Sequence, residues 1–196
     1  MRILGVDPGL TRCGLGVVDA ATGRKLSLVS VSVASADTGL PAAERIGRIA
    51  DAVDSLFDSE QPDVVAIERV FAQHNVRTVM ATAQVSGVIM FQARQRGVPI
   101  ATYTPSEVKA AVTGNGRADK KQVAFMVAKI LRLAEPPRPA DASDALAIAI
   151  THALRGTGTQ VGVAGPGFAH PASGVATTAA QRRWHDAERA ARKSGT

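Results

Sequence analysis

Four acidic residues stand where folding alone would not place them. Asp7 closes the apolar run Ile3-Leu4-Gly5-Val6, and Glu68 closes Val64-Val65-Ala66-Ile67. Asp141 and Asp144 are spaced i, i+3 at the head of an apolar stretch, so on a helix they share one face. If the two runs are neighbouring strands, Asp7 and Glu68 emerge at one edge of a sheet. Carboxylates so gathered suit hard divalent cations, which take oxygen ligands. Two such cations about 4 Å apart can bind a phosphodiester, generate the nucleophile and stabilise the departing oxygen. The acids repel one another until a cation neutralises them. Each also has a plainer reading. Asp7 before Pro8-Gly9 is a good turn former, Glu68 can simply end a strand, and Asp141-x-x-Asp144 resembles a capping box. The set together favours a metal-assisted hydrolytic centre, with Asp7, Glu68, Asp141 and Asp144 both catalytic and metal-binding.

The intervening sequence supplies the elements that would carry these acids. Residues 2–6, 13–19 and 26–34 read as three strands joined by short turns. Between residues 41 and 58, Ile46, Ile49, Ala50, Val53, Leu56 and Phe57 follow a helical period. Residues 63–68 form an unalternating apolar strand, the pattern of a strand covered on both faces. A helix over 75–96 is apolar nearly all round, so it is expected to be buried on more than one side, either as a central core helix or in part against another subunit. A last strand over 98–103 precedes Thr104-Pro105-Ser106-Glu107, a helix start with a capping threonine. Helices over 119–133 and 141–154 complete the body. The order β-β-β-α-β-α-β-α-α-α predicts an α/β fold, a mixed five-stranded sheet with helices on both faces, and resembles the RNase H fold.

The chain has 196 residues, 45% of them apolar, which suffices for one domain with a real core. No apolar run approaches the ~20 residues that cross a bilayer. The N-terminus reads as a strand and not as a signal peptide. A lone cysteine, Cys13, argues against disulfides and a thiolate metal site, and a cytoplasmic location is expected. The formal charge is +6. Residues 109–132 carry six basic side chains against one acid, a bias that suits a phosphate-rich partner as well as a solvated helix. Lys109, Arg117, Lys120 and Lys121 are the candidate phosphate contacts. Beyond residue 155 the composition turns to Gly, Ala, Thr, Val and Pro without a period. The expected division is a nuclease domain over 1–155 and a flexible tail over 156–196 ending in a basic segment.

Three stretches carry a resemblance to a known family: ILGVDPGLTRCGLGVVD at 3–19, AIERVFAQHN at 66–75 and ADASDALAIAITHA at 140–153, with GNGRADKKQV at 114–123 in support. In order and spacing they resemble the RuvC family of Holliday junction resolvases. The resemblance implies an RNase H-like fold and a homodimer that nicks two opposed strands of four-way junction DNA, in recombination and DNA repair. It implies Mg²⁺ held by Asp7, Glu68, Asp141 and Asp144, two ions per subunit, with Mn²⁺ able to substitute. It further implies that Phe71 stacks on unpaired bases, that Lys109 and Lys120 contact the DNA backbone, and that the RuvA and RuvB branch-migration proteins are partners. A partly exposed Phe71 stacked on a base would contribute ~1–3 kcal/mol.

Other readings use the same residues. GVDPGLTRCGLGVV is also similar to the first phosphate loop of actin-like ATPases, but those need two lobes and a second phosphate loop. A non-catalytic binder of DNA structure would use the basic face alone. Another RNase H-like nuclease, acting on RNA or on another substrate, would share the acids.

Overall fold

The computed structural model describes residues 1–69, 76–156 and 159–161. These all lie in the first of two units into which the chain divides, residues 1–163 and 164–196. The elements are strands β1 (Arg2–Asp7), β2 (Arg12–Ala20) and β3 (Leu26–Ser35), helix α1 (Ala42–Glu60), β4 (Val64–Glu68), α2 (Val76–Gln95), β5 (Ile100–Tyr103), α3 (Pro105–Thr113), α4 (Lys120–Leu131), α5 (Ala140–Arg155) and β6 (Thr159–Val161).

The sheet order is β3-β2-β1-β4-β5-β6. The first three strands are antiparallel, β4 and β5 run parallel to β1, and β6 returns antiparallel at the edge. All five expected strands and all five expected helices form. The sixth strand is an addition. Its three residues fall in a Gly- and Thr-rich stretch with no alternation, and only pairing with β5 gives them a strand's geometry. Of the expected tail, Gly156 closes α5 in a left-handed conformation and 159–161 join the sheet. The rest, including the basic segment at 181–193, lies outside the described residues, as does Phe71.

Two apolar layers flank the sheet. Leu4, Val6, Leu15, Val17, Val65 and Ile67 pack against α1 and α2 through Ile49, Val53, Phe57, Val85 and Ile89. Ile3, Val18, Val64, Ala66 and Tyr103 pack on the other side against α3, α4 and α5. Successive strand residues face opposite ways. Asp7 therefore shares the face of Ile3 and Gly5, and Glu68 that of Val64 and Ala66, which is the α5 face in both strands.

Helix α5 descends unusually close to that face. Side chains at Gly5 and Gly14 would collide with the backbone oxygens of Ala145 and Asp141 respectively. Glycine is needed at both places for close approach and not for backbone freedom.

Candidate active site

The parallel β1–β4 register pairs Val6 with Ile67, so the next residues, Asp7 and Glu68, lie side by side at the carboxyl ends of adjacent strands. β1 is antiparallel to one neighbour and parallel to the other, a change of strand direction at whose carboxyl edge α/β sheets tend to place ligands. Helix α5 brings Asp144 to the same place. Its N-cap is Pro139, with no side-chain capping bond, so the capping reading of Asp141 and Asp144 is not borne out. Helices α3 and α4 bring the counter-charges. Thr104 and Glu107 form the expected reciprocal cap at the start of α3, with bonds of 3.2 and 2.7 Å. Asp119 and Gln122 do the same for α4, fixing Lys120 in its first turn.

Asp7, Glu68 and Asp144 line a cavity of about 310 Å³ with Pro105, Lys109, Lys120 and Val123. Lys120 Nζ donates to Asp144 Oδ2 at 2.9 Å. Asp141 lines a neighbouring cavity with Arg12, whose Nε lies 2.9 Å from Asp141 Oδ2. That contact has ion-pair distance but not hydrogen-bond geometry, and the buried Oδ2 has no hydrogen-bond partner among the described residues. Two of the four acids thus lean on basic side chains. Arg117 and Lys121 are exposed and line neither cavity.

The electrostatics follow from burial and crowding. Burial, then the Glu68 and Asp144 charges, push the Asp7 carboxyl up to about 7. Burial and then Asp144 likewise raise Glu68, with Lys120 and Lys109 opposing. The bond to Asp144 holds the Lys120 ammonium above its ordinary value. Cys13 is fully buried and its thiol is pushed up to about 12, which leaves it chemically inert here.

Among the described residues, no three His, Cys, Asp or Glu side chains enclose an ion as they stand. The donor set nonetheless fits a hard divalent cation. It offers carboxylate oxygen only, it crowds buried negative charge, and it leaves Asp141 Oδ2 without a hydrogen bond. Asp7, Glu68, Asp144 and Asp141 are the residues that could hold one.

The raised Asp7 value bears on stability. Below pH 3.8 the carboxyl is protonated in both folded and unfolded chains. Between 3.8 and about 7 the folded chain alone keeps the proton, so the contribution is lost as pH rises through about 7. The full swing is roughly 4 kcal/mol at most. Thermal melting in chelator should therefore fall between pH 5 and 8, and the fall should shrink in Asp7→Asn. Equal slopes in the two proteins would contradict the assignment.

The profile of the family described as Crossover junction endodeoxyribonuclease RuvC matches residues 3–152. The chain is a member of the RuvC family. A RuvC of Leifsonia xyli subsp. xyli is 52% identical over 202 residues, covering 100% of this chain and 96% of that protein. One from Saccharopolyspora erythraea is 60% identical over 155 residues, covering 79% and 78%. Among solved structures, Thermus thermophilus RuvC in complex with Holliday junction substrate matches with a TM-score of 0.77 and 38% identity, covering 82% of this chain and 99% of that one. The yeast mitochondrial Holliday junction resolvase Ydc2, at 13% identity and a TM-score of 0.56, covers 77% of each chain and shares the fold. The RNase H-like architecture expected from the order of elements is therefore the architecture of this RuvC-family chain.

Sequence reasoning missed Arg12 and Arg45. Arg12 opens β2, although the sequence placed it in the turn ahead of a strand over 13–19. Arg45 lies on α1, and its bond to Thr11 Oγ1 at 2.7 Å reaches the distant turn between β1 and β2.

Proposed function

We propose that this chain is a divalent-metal-dependent endodeoxyribonuclease that resolves Holliday junctions by paired, symmetric nicks. The observation that carries this reading is the meeting of Asp7 and Glu68 from the sheet with Asp144 from α5, beside Lys109 and Lys120. Membership of the RuvC family supports the reaction, and the junction bound to the Thermus relative supports the substrate.

Asp7, Glu68, Asp141 and Asp144 hold the cation site, with Mg²⁺ the expected ion, Mn²⁺ a substitute and two ions per subunit. When bound, the cations supply Lewis acidity at the scissile phosphate and the attacking water. The rest falls to the chain's own groups. Lys109 and Lys120 offset phosphate charge on the α3–α4 side, and Lys120, bonded to Asp144 here, would be freed for DNA were Asp144 to hold a cation. Arg117 and Lys121, exposed near α4, add backbone contacts at longer range and strengthen salt-dependent binding. Phe71 stacks on an unpaired base beside the crossover. Nicking of a four-way junction in Mg²⁺ or Mn²⁺, absent in chelator, tests the reading. Cleavage that persists in chelator would overturn the metal requirement.

A four-way junction has approximate two-fold symmetry, which a C2 homodimer matches with one active site per strand. Met80, Ala83, Gln84, Gly87 and Phe91 form one exposed stripe along α2, with Met80 56% and Phe91 61% exposed. Their spacing keeps them on one helical face. This stripe is the proposed dimer face. Met80→Glu should convert the dimer to monomer in analytical sedimentation at micromolar concentration, and an unchanged dimer would exclude the stripe. The reading extends to the cytoplasm as the site of action, to recombination and DNA repair, and to RuvA and RuvB as partners. No helix among the described residues is long and apolar enough to cross a membrane. The nuclease domain takes in the expected 1–155 together with β6, and the tail is the segment beyond residue 163.

A further inference from the structure

We propose that Thr11, Arg12 and Arg45 form a second phosphate subsite, which holds the DNA backbone beside the carboxylate centre. The inference rests on the nuclease reading above and adds a contact surface separate from Lys109 and Lys120. A cavity of about 400 Å³ is lined by Thr11, Arg12, Arg45, Ala81, Thr82 and Asp141, among others. It shares no lining residue with the cavity of Asp7, Glu68 and Asp144. The two are linked by α5, which gives Asp141 to one and Asp144 to the other.

Arg45 is set as an anion donor. Its Nη2 donates to Thr11 Oγ1 at 2.7 Å, which fixes the plane of the guanidinium. Its Nε is buried and has no hydrogen-bond partner among the described residues. The guanidinium also lines the cavity, and its planar fork fits a phosphate oxygen better than a neutral acceptor. Arg12 supplies the second cation. Its side chain is 61% exposed, and its contact with Asp141 lacks hydrogen-bond geometry, so it can turn to a new anion.

Asp141 is the one acid among the described residues that line this cavity, and it would repel a phosphate. Arg12 offsets its charge in the metal-free protein. A divalent cation on Asp141 would do so more fully and release Arg12 to the DNA. The subsite should therefore tighten when a divalent cation is present. A DNA strand presents a phosphate at every nucleotide, and phosphate contacts are what fix a protein's register on the strand. Lys109 and Lys120 in the carboxylate cavity and the two arginines of this one would hold the strand at two points.

The test is the salt dependence of binding to a labelled four-way junction by fluorescence anisotropy, with Ca²⁺ and in chelator. Arg12→Gln and Arg45→Gln should each reduce the slope of log K against log salt by roughly 0.9, and weaken binding at fixed salt by about tenfold. The Arg12→Gln loss should be larger with Ca²⁺ than in chelator. Ala81→Glu, which adds an anion to the cavity without touching the Arg45–Thr11 bond, should weaken binding too, so the result does not depend on one variant's folding. Lys25→Gln, at the far end of the sheet, should leave the slope unchanged. If all three cavity variants keep the parent slope and affinity while the parent still binds and cuts junctions, the subsite is wrong and the nuclease reading stands. If the parent neither binds nor cuts junctions, both fail.

Discussion

Asp7→Asn is expected to lower junction cleavage by on the order of 10³-fold or more while leaving junction binding within a few-fold of the parent. The substitution keeps size and polarity but removes one anion from the cation site, and several kcal/mol of transition-state stabilisation depend on that site. The Asp7 carboxyl is pushed up to about 7, because it is buried and faces both Glu68 and Asp144. Removing its charge relieves that repulsion, so the chelated variant should melt above the parent at pH 8. Gains in stability and losses in cutting from one substitution mark a group retained for chemistry and not for folding. Single-turnover cleavage, anisotropy and melting on one preparation would read all three. If cleavage falls less than tenfold, Asp7 does not hold the cation.

The second large effect concerns the glycines under α5. Gly5→Ala should cost more than about 3 kcal/mol and in practice prevent folding, beyond the usual range for overpacking. The added carbon would meet the Ala145 oxygen, with Ala149 N at 2.7 Å and Ala149 Cβ at 2.9 Å, and a helix backbone cannot rotate out of the way as a side chain can. Gly14→Ala meets the Asp141 carbonyl and would push away the turn that carries both Asp141 and Asp144. Where it folds, it should lose cleavage out of proportion to stability. Gly47→Ala is the control. It lies in α1 with nothing within 4 Å of the added carbon, and should stabilise by about 0.5–1 kcal/mol. Urea melts of the three proteins decide the matter, and a mild Gly5→Ala would mean that α5 sits farther from the sheet.

The order of destabilisation also explains which parts of the site could be read before the fold. Asp7 and Glu68 each terminate an apolar strand, which alone fits a turn or a strand end as well as a site, so it was the set of four acids that pointed to chemistry. If the two strands are neighbours, both acids emerge at one sheet edge; that they share the α5 face needed the β1–β4 register. Thr104 and Glu107, three apart ahead of an apolar run, marked the start of α3 for a local reason, and the expected cap forms. Asp141 and Asp144 could be assigned to one helix face, but not to separate cavities. That division depends on Arg12 and Lys120, which reach them from β2 and α4, and such long-range pairing leaves no periodic trace. β6 was hidden for a similar reason, since edge pairing with β5 decides it and its own residues do not. The apolar breadth of α2 was visible, whereas the exposed Met80–Phe91 stripe needed the buried partners Val85, Ile89 and Ala93 to be known first.

The central claim is that these carboxylates cut junction DNA as a symmetric pair. The direct measurement maps nick positions on all four strands of a synthetic mobile junction incubated with Mg²⁺, beside linear duplex of the same sequence. The account predicts nicks at matching positions on two opposed strands of the junction, none in the duplex, and none with Asp7→Asn although that protein still binds. Junction binding without cutting in both Mg²⁺ and Mn²⁺ would contradict it.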